Sequence, residues 1–105
     1  MQKLLKAIES GKQRGFSKSL IINDKIYWCG AAIQKYDGQY KVHVYMIEEN
    51  KMVREEYDVY FTIGFTSIAQ AINCVELNSI IKLSEFSALK GQKMFNPAFN
   101  EENEI

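Results

Sequence analysis

Proline is almost missing from this chain: the only one in 105 residues is Pro97. With no earlier ring to fix φ or delete a backbone donor, regular structure can run on, and the turns fall to Gly, Asn and Asp. Histidine is equally scarce. His43 stands alone, so no His-x-x-x-His pair exists and a thiol nucleophile has at most one imidazole to serve it. The two cysteines, Cys29 and Cys74, lie far apart and form neither a disulfide framework nor a zinc pattern. Both are expected to be reduced, buried and structural, which suits a cytoplasmic protein.

Other absences narrow the chemistry further. There is no Gly-x-Ser-x-Gly elbow, and the only clustered glycines, Gly11 and Gly15, follow a helix rather than a strand, so no phosphate-cradling loop is present. Glu48, Glu49, Glu55, Glu56 and Asp58 could offer oxygens to a hard cation, but they alternate faces along an expected strand and do not converge. Thirteen basic residues balance thirteen acidic ones, and a missing basic excess argues against coating nucleic acid. No apolar run reaches the length of a signal peptide or a membrane span. The expectation is a cytoplasmic protein with no membrane contact, no cofactor, no metal and no catalytic residues.

What is present reads as one α+β domain over residues 1–105, with an acidic tail at 100–105 expected to fray. Hydrophobic residues make up 47% and charged residues 25%, a globular composition. Leu4, Leu5 and Ile8 line one side of a short helix over 2–10, ended by Gly11, and 11–15 reads as a basic linker. Strands follow at 19–22, 25–36, 39–47 and 52–63. Asn23-Asp24 joins the first two, and Asp37-Gly38 is the strongest hairpin signal, because a type I′ turn needs positive φ at both central residues. Ser67 caps a helix to about 78 carrying Ile68, Ala71, Ile72 and Val75 at helical spacing. Residues 79–83 are ambiguous between strand and loop, and Ser84 opens an expected helix over 85–90 that stops at Gly91. Phe95, Pro97 and Phe99 look like a docked, extended tail. The predicted architecture is thus a four-stranded antiparallel meander with an N-terminal helix and one or two C-terminal helices on one face.

The Asp37-Gly38 turn sets Ile33 opposite Val42, Ala31 opposite Val44 and Cys29 opposite Met46. A short loop after the third strand would set Met46 opposite Val53, Val42 opposite Tyr57 and Tyr40 opposite Val59. The core face then collects Tyr27, Cys29, Ala31, Ile33, Tyr40, Val42, Val44, Met46, Val53, Tyr57, Val59 and Phe61. Glu55 is the misfit, landing on that face opposite Val44. It must sit near an edge, find a partner or mark a bulge.

The other face carries Trp28, Gly30, Ala32, Gln34, Lys41, His43, Tyr45, Ile47, Met52, Arg54, Glu56, Asp58 and Tyr60. In this register Tyr45 neighbours Arg54, His43 neighbours Glu56, and Lys41 neighbours Asp58, so His43 could titrate near neutral pH. Gly30 opposite Tyr45 would let the ring lie across the strand. The bland reading is an ordinary solvated face. Against it, aromatics, Met and Arg are the residue types of interface centres, and here they cluster.

Function follows from that surface. The expectation is a non-catalytic domain that binds another protein, with Trp28, His43, Tyr45, Arg54, Glu56 and Asp58 as its contact residues. By size and surface it fits an inhibitor that blocks a toxin or other effector, as immunity proteins do. The alternative is a homodimeric scaffold or regulatory subunit pairing with a second copy through its exposed sheet face. Single-stranded nucleic-acid binding ranks below both, because Glu56 and Asp58 would repel phosphates. Charge is segregated: Lys3, Lys6, Lys12, Arg14 and Lys18 are offset only by Glu9, whereas 48–58 is acidic, and separated patches can steer a partner without net charge.

Overall fold

Two tight turns set the architecture. Asn23 and Asp24 (φ 50° and 65°) and Asp37 and Gly38 (φ 52° and 77°) are all left-handed, the type I′ geometry whose twist matches the flanking strands. The computed structural model describes residues 1–90 and 92–99. Its elements are α1 (Gln2–Glu9), β1 (Arg14–Ile22), β2 (Lys25–Tyr36), β3 (Gln39–Glu48), β4 (Val59–Phe65), α2 (Ile68–Asn78) and β5 (Ser87–Ala88), with 3₁₀ turns at Glu49–Lys51 and Leu83–Glu85. All strand pairings are antiparallel, in the order β4-β3-β2-β1-β5.

The fold is α+β, as expected, but the sheet has five strands rather than four. β1 begins at Arg14 instead of residue 19, so part of the expected linker is strand. The expected helix over 85–90 is absent across its described residues, and its end at Gly91 lies outside them. In its place the Glu85 carboxylate accepts the Lys82 backbone N–H (2.9 Å) and binds the Lys18 ammonium (3.0 Å). These bonds tie a 3₁₀ turn to β1, and Ser87–Ala88 then pairs with Gly15 and Arg14. Residues 79–82 are loop, and the acidic end at 100–105 lies outside the described residues.

Inner-face residues of β1 to β4 pack against both helices. Ile8, Cys29, Ala31, Ile33, Val42, Val44, Ala71, Val75 and Ile81 are fully or almost fully buried in one cluster. Ser67 caps α2 as its spacing predicts, its Oγ accepting the Gln70 N–H at 3.2 Å. The β2–β3 register is the expected one throughout. The β3–β4 register is not. Residues 49–58 form a long connection, so Met46 faces Val59, Val42 faces Ile63 and Tyr40 faces Phe65. The displacement is six residues, an even number, so Val59 and Phe61 still point inward. Val53 and Tyr57 leave the core: Val53 is 96% exposed, and Tyr57 packs against Tyr45 and Tyr60 on the other face.

Glu55, the misfit, lies in a turn with φ 54° and is exposed. A non-glycine residue in the left-handed region is strained by about 1–2 kcal/mol, less what glycine's greater unfolded-state freedom gives back. Glu55→Gly is therefore expected to stabilise the fold by about 0.5–1 kcal/mol in urea denaturation; a loss would mean the residue belongs to a strand.

A second expectation concerns how α1 is tied down. The Tyr40 hydroxyl donates to Glu9 Oε1 at 2.5 Å and Lys35 Nζ lies 3.3 Å from the same oxygen. The Tyr40 bond, then Lys35, hold the Glu9 carboxyl below its ordinary value of 4.5. Glu85 is lowered in the same direction, first by the Lys82 backbone N–H and then by Lys18. A lowered carboxyl contributes stability above its unfolded value and loses it as pH falls through the folded one. Stability should thus decline on acidification below pH 4.5, and Glu9→Gln should remove only its own share of that decline.

Candidate functional site

The outer face is laid out by the same registers. One row across the sheet reads Ser17, Gly30, Tyr45, Tyr60; the next reads Gly15, Ala32, His43, Thr62; a third reads Ser19, Trp28, Ile47. Arg54, Glu56 and Asp58 do not join them. The neighbours of Tyr45, His43 and Lys41 on β4 are Tyr60, Thr62 and Gly64, not Arg54, Glu56 and Asp58, because the 49–58 connection carries those three off the sheet. All three are exposed, and Arg54 pairs with Glu56 at 3.6 Å.

The middle of this face is a second, smaller core. Phe95 stacks on the His43 ring at 5.3 Å and 12°, His43 Nδ1 lies 2.8 Å from Thr62 Oγ1, and His43 is only 3% exposed. Tyr45 extends over Gly30, where an added Cβ would lie 3.0 Å from its Cζ, and its hydroxyl bonds the Ser17 side chain. Burial moves the Tyr45 phenol upward, against the Ser17 bond, which pulls it down. Tyr57 closes the group, edge-on to Tyr45 at 6.4 Å.

Gln13 holds the covering tail in place. Its Nε2 donates to Gln34 Oε1 (2.7 Å) and to the Phe95 carbonyl (3.1 Å), while its Oε1 accepts the Met94 N–H (2.7 Å). Gln34 in turn donates to the Gly11 carbonyl at 3.0 Å. Both glutamines are buried, where unmet amide groups would be costly, and each is committed to a partner. Phe95 and Pro97 are buried, as the docked-tail expectation has it, but Phe99 is 60% exposed.

Apart from Tyr36, 43% exposed at the Asp37-Gly38 end, the open apolar side chains of this face gather beside the Asn23-Asp24 turn. Ile21 is 72%, Ile26 40% and Trp28 38% exposed, and Ile21 faces Ile26 across the hairpin. The Trp28 indole N–H donates to Glu49 Oε1 at 3.2 Å. The connection that starts there carries Arg54, Glu56 and Asp58, and returns where the Asp58 N–H meets the Met46 carbonyl (2.8 Å). Its acids therefore border the same end of the sheet as Trp28. Of the expected contact residues, Trp28, Arg54, Glu56 and Asp58 are accessible, Tyr45 is half-buried and His43 is enclosed. Ile21 and Ile26 were missed. The signal was the consecutive run Leu20-Ile21-Ile22, which cannot put all three side chains on one face of a strand.

Cys29 lies on the inner face and His43 on the outer, and burial pushes both thiols, Cys29 and Cys74, upward, toward the unreactive protonated form. Among the described residues no three of His, Cys, Asp and Glu gather as a metal site, and no helix is long and apolar enough to cross a membrane.

Gln13→Ala should take away the partner of the Met94 amide and the donor to Gln34 Oε1 and lower stability by about 1–3 kcal/mol. Hydrogen exchange at Met94 should quicken well before that at Val42 or Val44; equal protection in both proteins would show that Gln13 does not hold the tail. No protein-family model matches this chain, nor does any curated protein or solved structure.

Proposed function

We propose that this chain is a non-catalytic binding domain that seats another protein on the open end of its outer sheet face. Ile21, Ile26 and Trp28 form the apolar centre and the acidic 49–58 connection forms the rim. One observation carries the reading: a tryptophan kept 38% exposed beside an isoleucine 72% exposed, on a strand pair whose register is fixed by a tight turn. Tryptophan is a favoured anchor of protein interfaces, and rigid presentation lowers the entropy lost on binding.

The rim gives the partner a sign. Glu49, Glu55, Glu56 and Asp58, all exposed, outnumber Lys51 and Arg54, which suits a partner with a basic contact site. An inhibitor that neutralises a toxin or other effector, of the immunity type, needs no more than such a surface. A nucleic-acid platform is less well supported, since stacking requires free ring faces, and the His43 ring lies under Phe95 while Tyr45 and Tyr60 are engaged by Tyr57.

Affinity capture from the native cells, compared between wild type and Trp28→Ala, tests this. A partner retained by wild type should bind the variant about 30-fold or more weakly, with melting temperature little changed. Glu56→Lys with Asp58→Lys should slow association and weaken its dependence on salt. Identical capture by all three proteins would remove the reading.

A further inference from the structure

A sheet edge is a row of unpaired donors and acceptors, and β1 leaves most of its edge open. β5 pairs only with Arg14 and Gly15. Among the described residues no other strand lies along the far side of 16–22, and no turn or loop backbone bond reaches it. The two-residue turn makes Ile22 and Lys25 a hydrogen-bonded pair. Alternation from there directs Leu20, Lys18 and Phe16 toward β2 as well. The N–H and C=O groups of Ser17, Ser19 and Ile21 therefore point away from the sheet. Gly15 has the same parity, and it is the residue that meets Ser87 of β5.

Natural edges are blunted by proline, by a bulge or by a projecting lysine. β1 contains no proline, and its pairing with β2 is unbroken along all nine residues. Its mid-strand lysine, Lys18, is drawn to Glu85 at 3.0 Å. The residues that offer outward backbone groups are two serines and an isoleucine, none of them charged.

We propose that β1 pairs antiparallel, edge to edge, with β1 of a second copy of this chain, about a two-fold axis through Ser19. Outward-pointing residues must meet outward-pointing residues, and only the register centred on Ser19 engages all three from each strand. Ser19 faces its own copy, and Ser17 faces the partner's Ile21 in both directions, for about six main-chain hydrogen bonds. On the inner side Phe16 meets the partner's Ile22, and Lys18 meets the partner's Leu20. No like charges stand opposite one another. Ile22 is exposed and Phe16 half-buried in the single chain, so both gain cover. This two-fold match of one strand with itself favours a second copy over an unrelated strand. Trp28 plays no part in the pairing, so the outcome here leaves the proposed partner surface to its own test.

Light scattering and amide hydrogen exchange on the full chain, from low to hundreds of micromolar, read the pairing directly. The expected result is a mass that rises to that of a dimer. The Ser17, Ser19 and Ile21 amides should slow about tenfold or more with it, while Lys18, Leu20 and Ile22 are protected at every concentration. Ser19→Pro deletes the central outward donor without touching the β1–β2 ladder, and Ile21→Lys adds the missing gatekeeper; each should give a folded monomer. A monomeric wild type at the highest concentration, a dimer whose three outward amides stay fast, or a dimer that persists in both variants would overturn the proposal.

Discussion

β2 is held at both ends by type I′ turns, and all four central turn residues have positive φ. That leaves its alternation no freedom. Cys29, Ala31 and Ile33 must face one way and Trp28, Gly30, Ala32 and Gln34 the other, and a slip of one residue would bury Gln34 among aliphatic side chains. β1 and β3 inherit the parity by pairing, and β4 inherits it from β3. The helices then have one apolar surface to cover, and the tail has the other.

This chain of inheritance explains what could be read from sequence. The faces of β2 and β3, the Ser67 cap and the Gly30–Tyr45 contact follow from turn chemistry and period, which are local. The start of β4 was not local. Residues 52–63 alternate well enough to pass for one strand, and only Glu55 contradicted it. Its left-handed backbone shows that the contradiction marked a turn, not an isolated defect. The error moved Arg54, Glu56 and Asp58 onto a face they never reach, while parity kept Val59 and Phe61 correctly inward. His43 failed for a different reason. Its cover comes from Phe95, more than fifty residues away in the chain, delivered by a buried glutamine that composition could not distinguish from a solvated one.

The tail divides the outer face into two parts with different physics. In the middle, Phe95, Tyr57 and the Gln13–Gln34 pair make a packed, hydrogen-bonded layer that engages both Tyr45 and His43. Toward the Asn23-Asp24 turn the cover stops, and Ile21, Ile26 and Trp28 remain at the surface. The contrast matters because the chain does possess a device for hiding apolar side chains on this face and leaves these three outside it. Tyr36, 43% exposed, stands alone at the opposite end of the same face, whereas three apolar side chains gather beside the Asn23-Asp24 turn, and such a cluster is a stronger pointer to a contact surface than a single exposed ring.

The run Leu20-Ile21-Ile22 sits where both proposed surfaces meet. Leu20 turns inward, as β1 needs for its core contacts. Ile21 contributes its side chain to the apolar patch and its backbone groups to the open edge. The two uses do not exclude each other, because side chains stand perpendicular to the sheet while hydrogen bonds lie within it. A second copy bound along β1 would lengthen the sheet in its own plane and place two such patches on one continuous face, related by the axis at Ser19. Self-association through the edge would thus double the proposed partner surface rather than consume it, whereas pairing face to face through Ile21, Ile26 and Trp28 would occupy it.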